Sequence, residues 1–88
     1  MKYKIAETKT FLKKIDRPEI RRIYLKIIDF VYPVIRQNPF FGPNIKRLKG
    51  SFSEFHRYRI GNYRLFYRIS DDSEIIYIVD IVHRKNTY

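Results

Sequence analysis

Gly61-Asn62 lies between two runs, Phe55 to Ile60 and Tyr63 to Ser70, in which aromatic and aliphatic residues alternate with arginines. A two-residue connection of this kind is a hairpin turn, because primed turns need a positive φ that glycine and asparagine tolerate. The turn dictates the register of both strands. Ile60 faces Tyr63, Arg59 faces Arg64, Tyr58 faces Leu65, Arg57 faces Phe66, His56 faces Tyr67 and Phe55 faces Arg68. Because side chains alternate between the faces of a sheet, these pairs sort into two sets. Tyr58, Ile60, Tyr63, Leu65, Tyr67 and Ile69 form an apolar face that must be covered. Arg57, Arg59, Arg64 and Arg68, with Phe55 and Phe66 among them, form the other.

The second face is chemically unusual. Like charges directly opposite one another destabilise a sheet, so Arg59 against Arg64 calls for an anion between them, and a phosphate meets that need. A merely solvated face mixes charges of both signs, whereas this one carries four arginines and no acid. Arginine suits bidentate phosphate binding, and interleaved phenylalanines suit stacking on unpaired bases. Lys46, Arg47 and Lys49, just ahead of the ribbon, extend the positive field. The whole chain agrees: 19 Lys and Arg against 9 Asp and Glu give a net charge of +10, which makes nucleic acid the first partner to consider. Single-stranded RNA or an exposed RNA loop fits this face better than duplex DNA.

The other limits are simple. Eighty-eight residues hold one domain, residues 1–88, with a modest core. No cysteine is present, so disulfides, thiolate nucleophiles and cysteine-based zinc sites are excluded, and a reducing cytoplasm is the expected setting. The first residues lack the apolar core of a signal peptide, and the longest apolar stretch, Ile27 to Ile35, is interrupted by Asp29 and Pro33. No membrane contact, metal or cofactor is expected.

Upstream of the ribbon, Tyr3 and Ile5 mark a short first strand, and Thr8 or Thr10 is placed to cap a short helix ending at Lys14. Pro18 and Glu19 open a second helix, running to about Gln37. Ile20, Ile23, Tyr24, Ile27, Val31 and Val34 supply its apolar stripe, and Pro33 is expected to kink or end it. Asn38 to Asn44 is a loop. After the two ribbon strands, Glu74 to Val82 is almost wholly apolar and reads as a central strand covered on both sides. The order is β-α-α-β-β-β: an α+β fold with two N-terminal helices packed on a mainly antiparallel four-stranded sheet, the first strand at an edge.

Leu48-Lys49-Gly50, the ribbon from Arg57 to Ile69, His83-Arg84-Lys85 and Tyr88 together resemble the RelE/ParE toxin superfamily of type II toxin-antitoxin systems. The resemblance spans Asn38 to Tyr88 and agrees with the element order read from periodicity. In the RelE-like branch it implies a messenger-RNA endonuclease acting on the ribosome; in the ParE-like branch, an inhibitor of DNA gyrase. The RelE-like branch is favoured by the ribbon arginines and the terminal Arg-Lys-x-x-Tyr segment. The chemistry it implies is metal-independent: a ribose 2′-hydroxyl attacks the adjacent phosphate, leaving a 2′,3′-cyclic phosphate. Its partners are messenger RNA on the ribosome and a cognate antitoxin, acidic at the contact.

On this likeness Arg64 and Arg84 match family arginines that stabilise charge on the phosphate, and Arg59 faces Arg64 at the same spot. Arg57, Lys46 and Lys49 bind RNA. Arg57 and Arg59 fall where RelE-like members can carry lysines, one of them a candidate proton acceptor, and arginine is a poor general base because it stays protonated. His83, an imidazole beside Arg84, is then the expected base. Tyr88 matches a tyrosine that stacks on a base or assists proton transfer. His56 is expected at the edge of the core, and where carboxylate-based branches of the family place a Glu before the ribbon this sequence has only Asn44, with Glu54 nearby. Two alternatives stand beside the endonuclease: a ParE-like gyrase inhibitor and a non-catalytic RNA-binding module.

Overall fold

The ribbon forms in the register the turn requires. In the computed structural model, which describes residues 2–86, Gly61 takes φ +56°, and the six pairs from Ile60–Tyr63 to Phe55–Arg68 are all present. The chain runs β1 (Lys4–Glu7), α1 (Lys9–Lys14), α2 (Pro18–Lys26), a π-helical turn (Ile27–Val31), α3 (Tyr32–Gln37), β2 (Ile45–Arg47), β3 (Phe55–Ile60), β4 (Tyr63–Ser70) and β5 (Ile75–His83), with short 3₁₀ turns at Gly50–Phe52 and Arg84–Asn86. The strands make one sheet in the order β1-β5-β4-β3-β2, antiparallel except where β1 runs parallel to β5. The α+β class, the helices on one face and the first strand at an edge are as the sequence implies.

The sheet has five strands, not four. The additional strand, Ile45-Lys46-Arg47, pairs antiparallel with β3 and forms the second edge. Three residues, two of them charged, carry no readable alternation, and β3 rather than local propensity holds them extended.

Pro33 neither ends the helix nor breaks it. A proline leaves the carbonyl four residues back without its usual donor. Here the backbone widens just upstream into a π turn, in which the Tyr32 N–H reaches the Ile27 carbonyl, and helix resumes through Gln37. The extra residue rotates the apolar row. Ile20, Ile27 and Val31 are buried as expected, but the row continues through Tyr32 and Ile35, and Val34 is turned outward at 45% exposed. Leu25, Ile28 and Phe30 also point to solvent.

The core lies between this helical layer and one face of the sheet: Phe11, Ile15, Ile20, Ile27 and Ile35 pack against Leu65, Tyr67, Ile76, Ile78 and Ile81. β5 is central but not covered on both sides. Ile75, Tyr77 and Val79 are only half-buried, because helices cover a single face. Glu7 ties β1 to the helices by accepting hydrogen bonds from the hydroxyls of Tyr24 (2.8 Å) and Tyr32 (2.7 Å). Thr8 stands at the start of α1 without capping it; its hydroxyl donates instead to the carbonyls of Ile78 and Val79.

One irregularity in β5 decides which residues reach which face. Phe66 pairs with Asp80 and Tyr67 with Ile78, so Val79 is an extra residue, a β-bulge. Beyond it, Ile81 pairs with Leu65 and His83 with Tyr63 on the helix side, while Asp80 and Val82 pair with Phe66 and Arg64. The Asp80 carboxylate, 9% exposed, is held by Lys14 of α1 at 2.6 Å and by the Ile81 N–H at 2.8 Å, and the same ammonium donates to the Ile81 carbonyl. Removing one partner of such a bridge leaves a buried charge uncompensated. Lys14→Met is therefore expected to lower the unfolding free energy by about 1–3 kcal/mol. Adding Asp80→Asn should recover part of the loss, with urea titrations of both variants as the measurement.

Candidate nucleic-acid interface

Strand pairing places Lys46 opposite Arg57, and Arg57 opposite Phe66, in one row across the sheet; Arg59, Arg64 and Val82 form the next. The loop that follows β2 folds over the first row. The result is an open cleft of about 330 Å³ lined by Lys46, Arg47, Leu48, Lys49, Arg57, Arg64 and Phe66. Five cations converge there, with no acid among the lining residues.

Arg57 is the best anchored of them. Its Nη1 donates to the Asn44 carbonyl at 2.9 Å, and the same carbonyl accepts the Arg59 N–H at 2.9 Å. Burial above all, then the nearby Arg64 and Arg59 guanidinium groups, push the Arg57 pKa below its ordinary value. The cleft thus holds charges that repel one another, the condition under which a bound polyanion is stabilising. The structure adds Asn44, whose role is a main-chain one and leaves no side-chain signature, and it fixes Arg47, already expected in the positive field, by a hydrogen bond from its guanidinium to the Ser53 carbonyl at 2.9 Å.

The expected site residues do not all share one place. Lys46, Lys49, Arg57 and Arg64 line the cleft, and Arg59 is exposed on the same face beside Arg64. Arg84 lies at the hairpin end of the sheet, its N–H donating to the Asn62 carbonyl at 2.7 Å. His83 is placed elsewhere: its ring sits edge-on to Tyr63, 5.1 Å between centroids, on the helix side, and its Nδ1 accepts the Lys85 N–H. The bulge at Val79 puts it there, and it does not face the arginines. Tyr88 lies outside the described residues.

His56 is a core-edge residue. It is 8% exposed, stacked on Tyr67 and edge-on to Phe40, and its Nδ1 has no hydrogen-bond partner among the described residues. With Glu54 it lines a separate cavity of about 480 Å³ behind Phe40 and Phe41. Arg68, on the ribbon face, is drawn over the Tyr77 ring at 4.7 Å, away from the cleft. Among the described residues no cluster of three or more His, Cys, Asp or Glu is arranged to hold a metal, and no helix is long and apolar enough to cross a membrane.

A basic ribbon with a cationic cleft on one face of a mixed sheet, and helices on the other, defines a small basic α+β protein. Residues 6–88 match the family described as the ParE toxin of the type II toxin-antitoxin system, parDE. The chain belongs to this family. Among solved structures it is similar to a chain of the RelBE2 toxin-antitoxin complex from Mycobacterium tuberculosis (26% identity, TM-score 0.79, covering 96% of this chain and 100% of that one). It also shares its fold with a chain of the archaeal RelE–RelB complex from Pyrococcus horikoshii (22%, 0.67, 99% and 100%) and with a YoeB/ParE toxin from Agrobacterium tumefaciens (19%, 0.68, 91% and 96%). No curated protein matches the sequence.

Burial, and secondarily the Arg47 charge, push the His56 pKa below the ordinary histidine value. The unfolded chain therefore takes up a proton that the folded chain does not, and stability falls as pH drops below about 6.5. In His56→Phe this contribution should vanish. Urea midpoints of the two proteins, compared between neutral and mildly acidic pH, measure it.

Proposed function

We propose that this toxin is a messenger-RNA endonuclease that acts on the ribosome and is silenced by an antitoxin covering the basic cleft or the helices. The observation that carries the reading is the convergence of Lys46, Arg47, Lys49, Arg57 and Arg64 on one open cleft without an acid among them. Such a cleft binds the backbone of a single strand and stabilises a phosphorane as charge develops on its oxygens. Arg64 and Arg57 occupy the cleft and Arg59 adjoins it, the arrangement expected for clamping one phosphate from two strands.

In this reaction the ribose 2′-oxygen attacks the adjacent phosphorus and the bond from phosphorus to the 5′-oxygen breaks. The ammonium of Lys46 or Lys49 gives its proton to the departing oxygen. The cleft lining contains neither imidazole nor carboxylate, so the proton of the 2′-hydroxyl passes to water at its open mouth. His83 has no part in this scheme. Arg84, at the hairpin end, is assigned to the RNA strand beyond the scissile phosphate.

A second reading is a ParE-like inhibitor of DNA gyrase, in which the same cations bind protein or DNA and no proton moves. It is favoured by the family match and by a cleft without a general base. The two separate in one experiment. Purified protein incubated with ribosomes and messenger should release fragments ending in a 2′,3′-cyclic phosphate, and Arg64→Ala should cleave at least about 100-fold more slowly while remaining folded. Intact messenger together with blocked supercoiling by gyrase would establish the second reading instead.

A further inference from the structure

Next to the cationic cleft, and sharing Leu48 and Phe66 with it as a common wall, is an apolar slot of about 160 Å³ lined by Leu48, Phe52, Phe55, Phe66, Val79 and Asp80. Its aromatic walls differ in exposure. Phe66 is 5% exposed and forms part of the fold, whereas Phe52, on the 3₁₀ turn after Lys49, is 42% exposed. The bulge at Val79 gives this slot its shape, because it sets Val79 and Asp80 together beside Phe66. The one acidic lining residue, Asp80, is matched by the Lys14 ammonium, so the slot is close to neutral while the cleft beside it is strongly positive.

We infer that the slot receives one unpaired nucleobase of the strand whose phosphate lies in the cleft. The inference rests on the RNA reading above and extends it from backbone binding to base capture. An apolar, aromatic-walled slot and a cation cluster with a common wall match the two halves of a nucleotide, a flat ring and a phosphate one sugar apart. Charge complementarity orients the ligand: the phosphate is drawn to Lys46, Lys49, Arg57 and Arg64, and the uncharged ring is left for the phenylalanines. Phe52 flanks the ring from the solvent side.

The test uses the full chain and labelled 2′-O-methyl hexamers, which lack the attacking hydroxyl and stay intact. One carries uracil throughout and the other is abasic at every position. The uracil strand should bind about 10-fold more tightly, within the range of one base–aromatic stack. Phe52→Ala, at a half-exposed position, should erase that preference while leaving abasic binding and its salt dependence unchanged. Two results would remove the slot but leave RNA binding in place: equal binding of the two strands, or a preference that survives Phe52→Ala. Failure of both strands to bind, with capture of an acidic peptide bearing a bulky apolar side chain, would overturn the RNA reading itself and make the slot a protein contact.

Discussion

A single inserted residue governs the arrangement. Val79 bulges from β5 between two stretches of regular pairing, and the strand beyond it is shifted by one. With a side-chain period of two, such a shift exchanges faces for every later residue. Ile81 thereby reaches the core, Val82 comes to lie across from Arg64, and Asp80 takes its place opposite Phe66, within reach of Lys14. An unbroken register would have put Asp80 beneath the helices and His83 among the arginines. The same bulge therefore serves the core, the buried bridge and the apolar slot beside the basic cleft.

The two faces of the sheet are stable for different reasons. The helix side is a conventional packed core, in which Tyr67 even satisfies its hydroxyl by donating to the Pro39 carbonyl at 2.7 Å. The other side gathers like charges and leaves them close together, a local conflict of the kind that natural proteins retain where function requires it. What makes the conflict tolerable is backbone: the Asn44 carbonyl fixes Arg57, and the Ser53 carbonyl fixes Arg47. These contacts hold guanidinium groups in place before any anion arrives, so less side-chain freedom is lost on binding.

The parts that were legible in the sequence are those controlled by local chemistry. Gly61-Asn62 announced its turn, and the turn alone determined six cross-strand pairs and the composition of both ribbon faces. The short strand Ile45–Arg47 was not legible, because it is held by β3 rather than by its own pattern. Val34 was misplaced because periodicity assumes 3.6 residues per turn, and the π turn ahead of Pro33 adds one residue to the count. His83 was drawn towards the arginines by its neighbour Arg84, but nothing in an apolar run such as Ile75 to Val82 marks which residue will bulge. Lys46, Lys49, Arg57 and Arg64 were identified by charge and position, and the cleft that unites them came from strand pairing that only the three-dimensional fold supplies.

The tie between the Arg84 N–H and the Asn62 carbonyl has a practical side. It brings the chain, at its last described turn, back to the hairpin tip next to Arg59 and Arg64, whereas β1 begins at the opposite end of the sheet, with Lys4 beside Ile75. A bulky label attached at the exposed Lys85, on that turn, shares space with whatever binds the ribbon. Attached at the exposed Lys4, it sits at the far end. Labels meant to leave the ribbon free belong on the β1 end of the sheet.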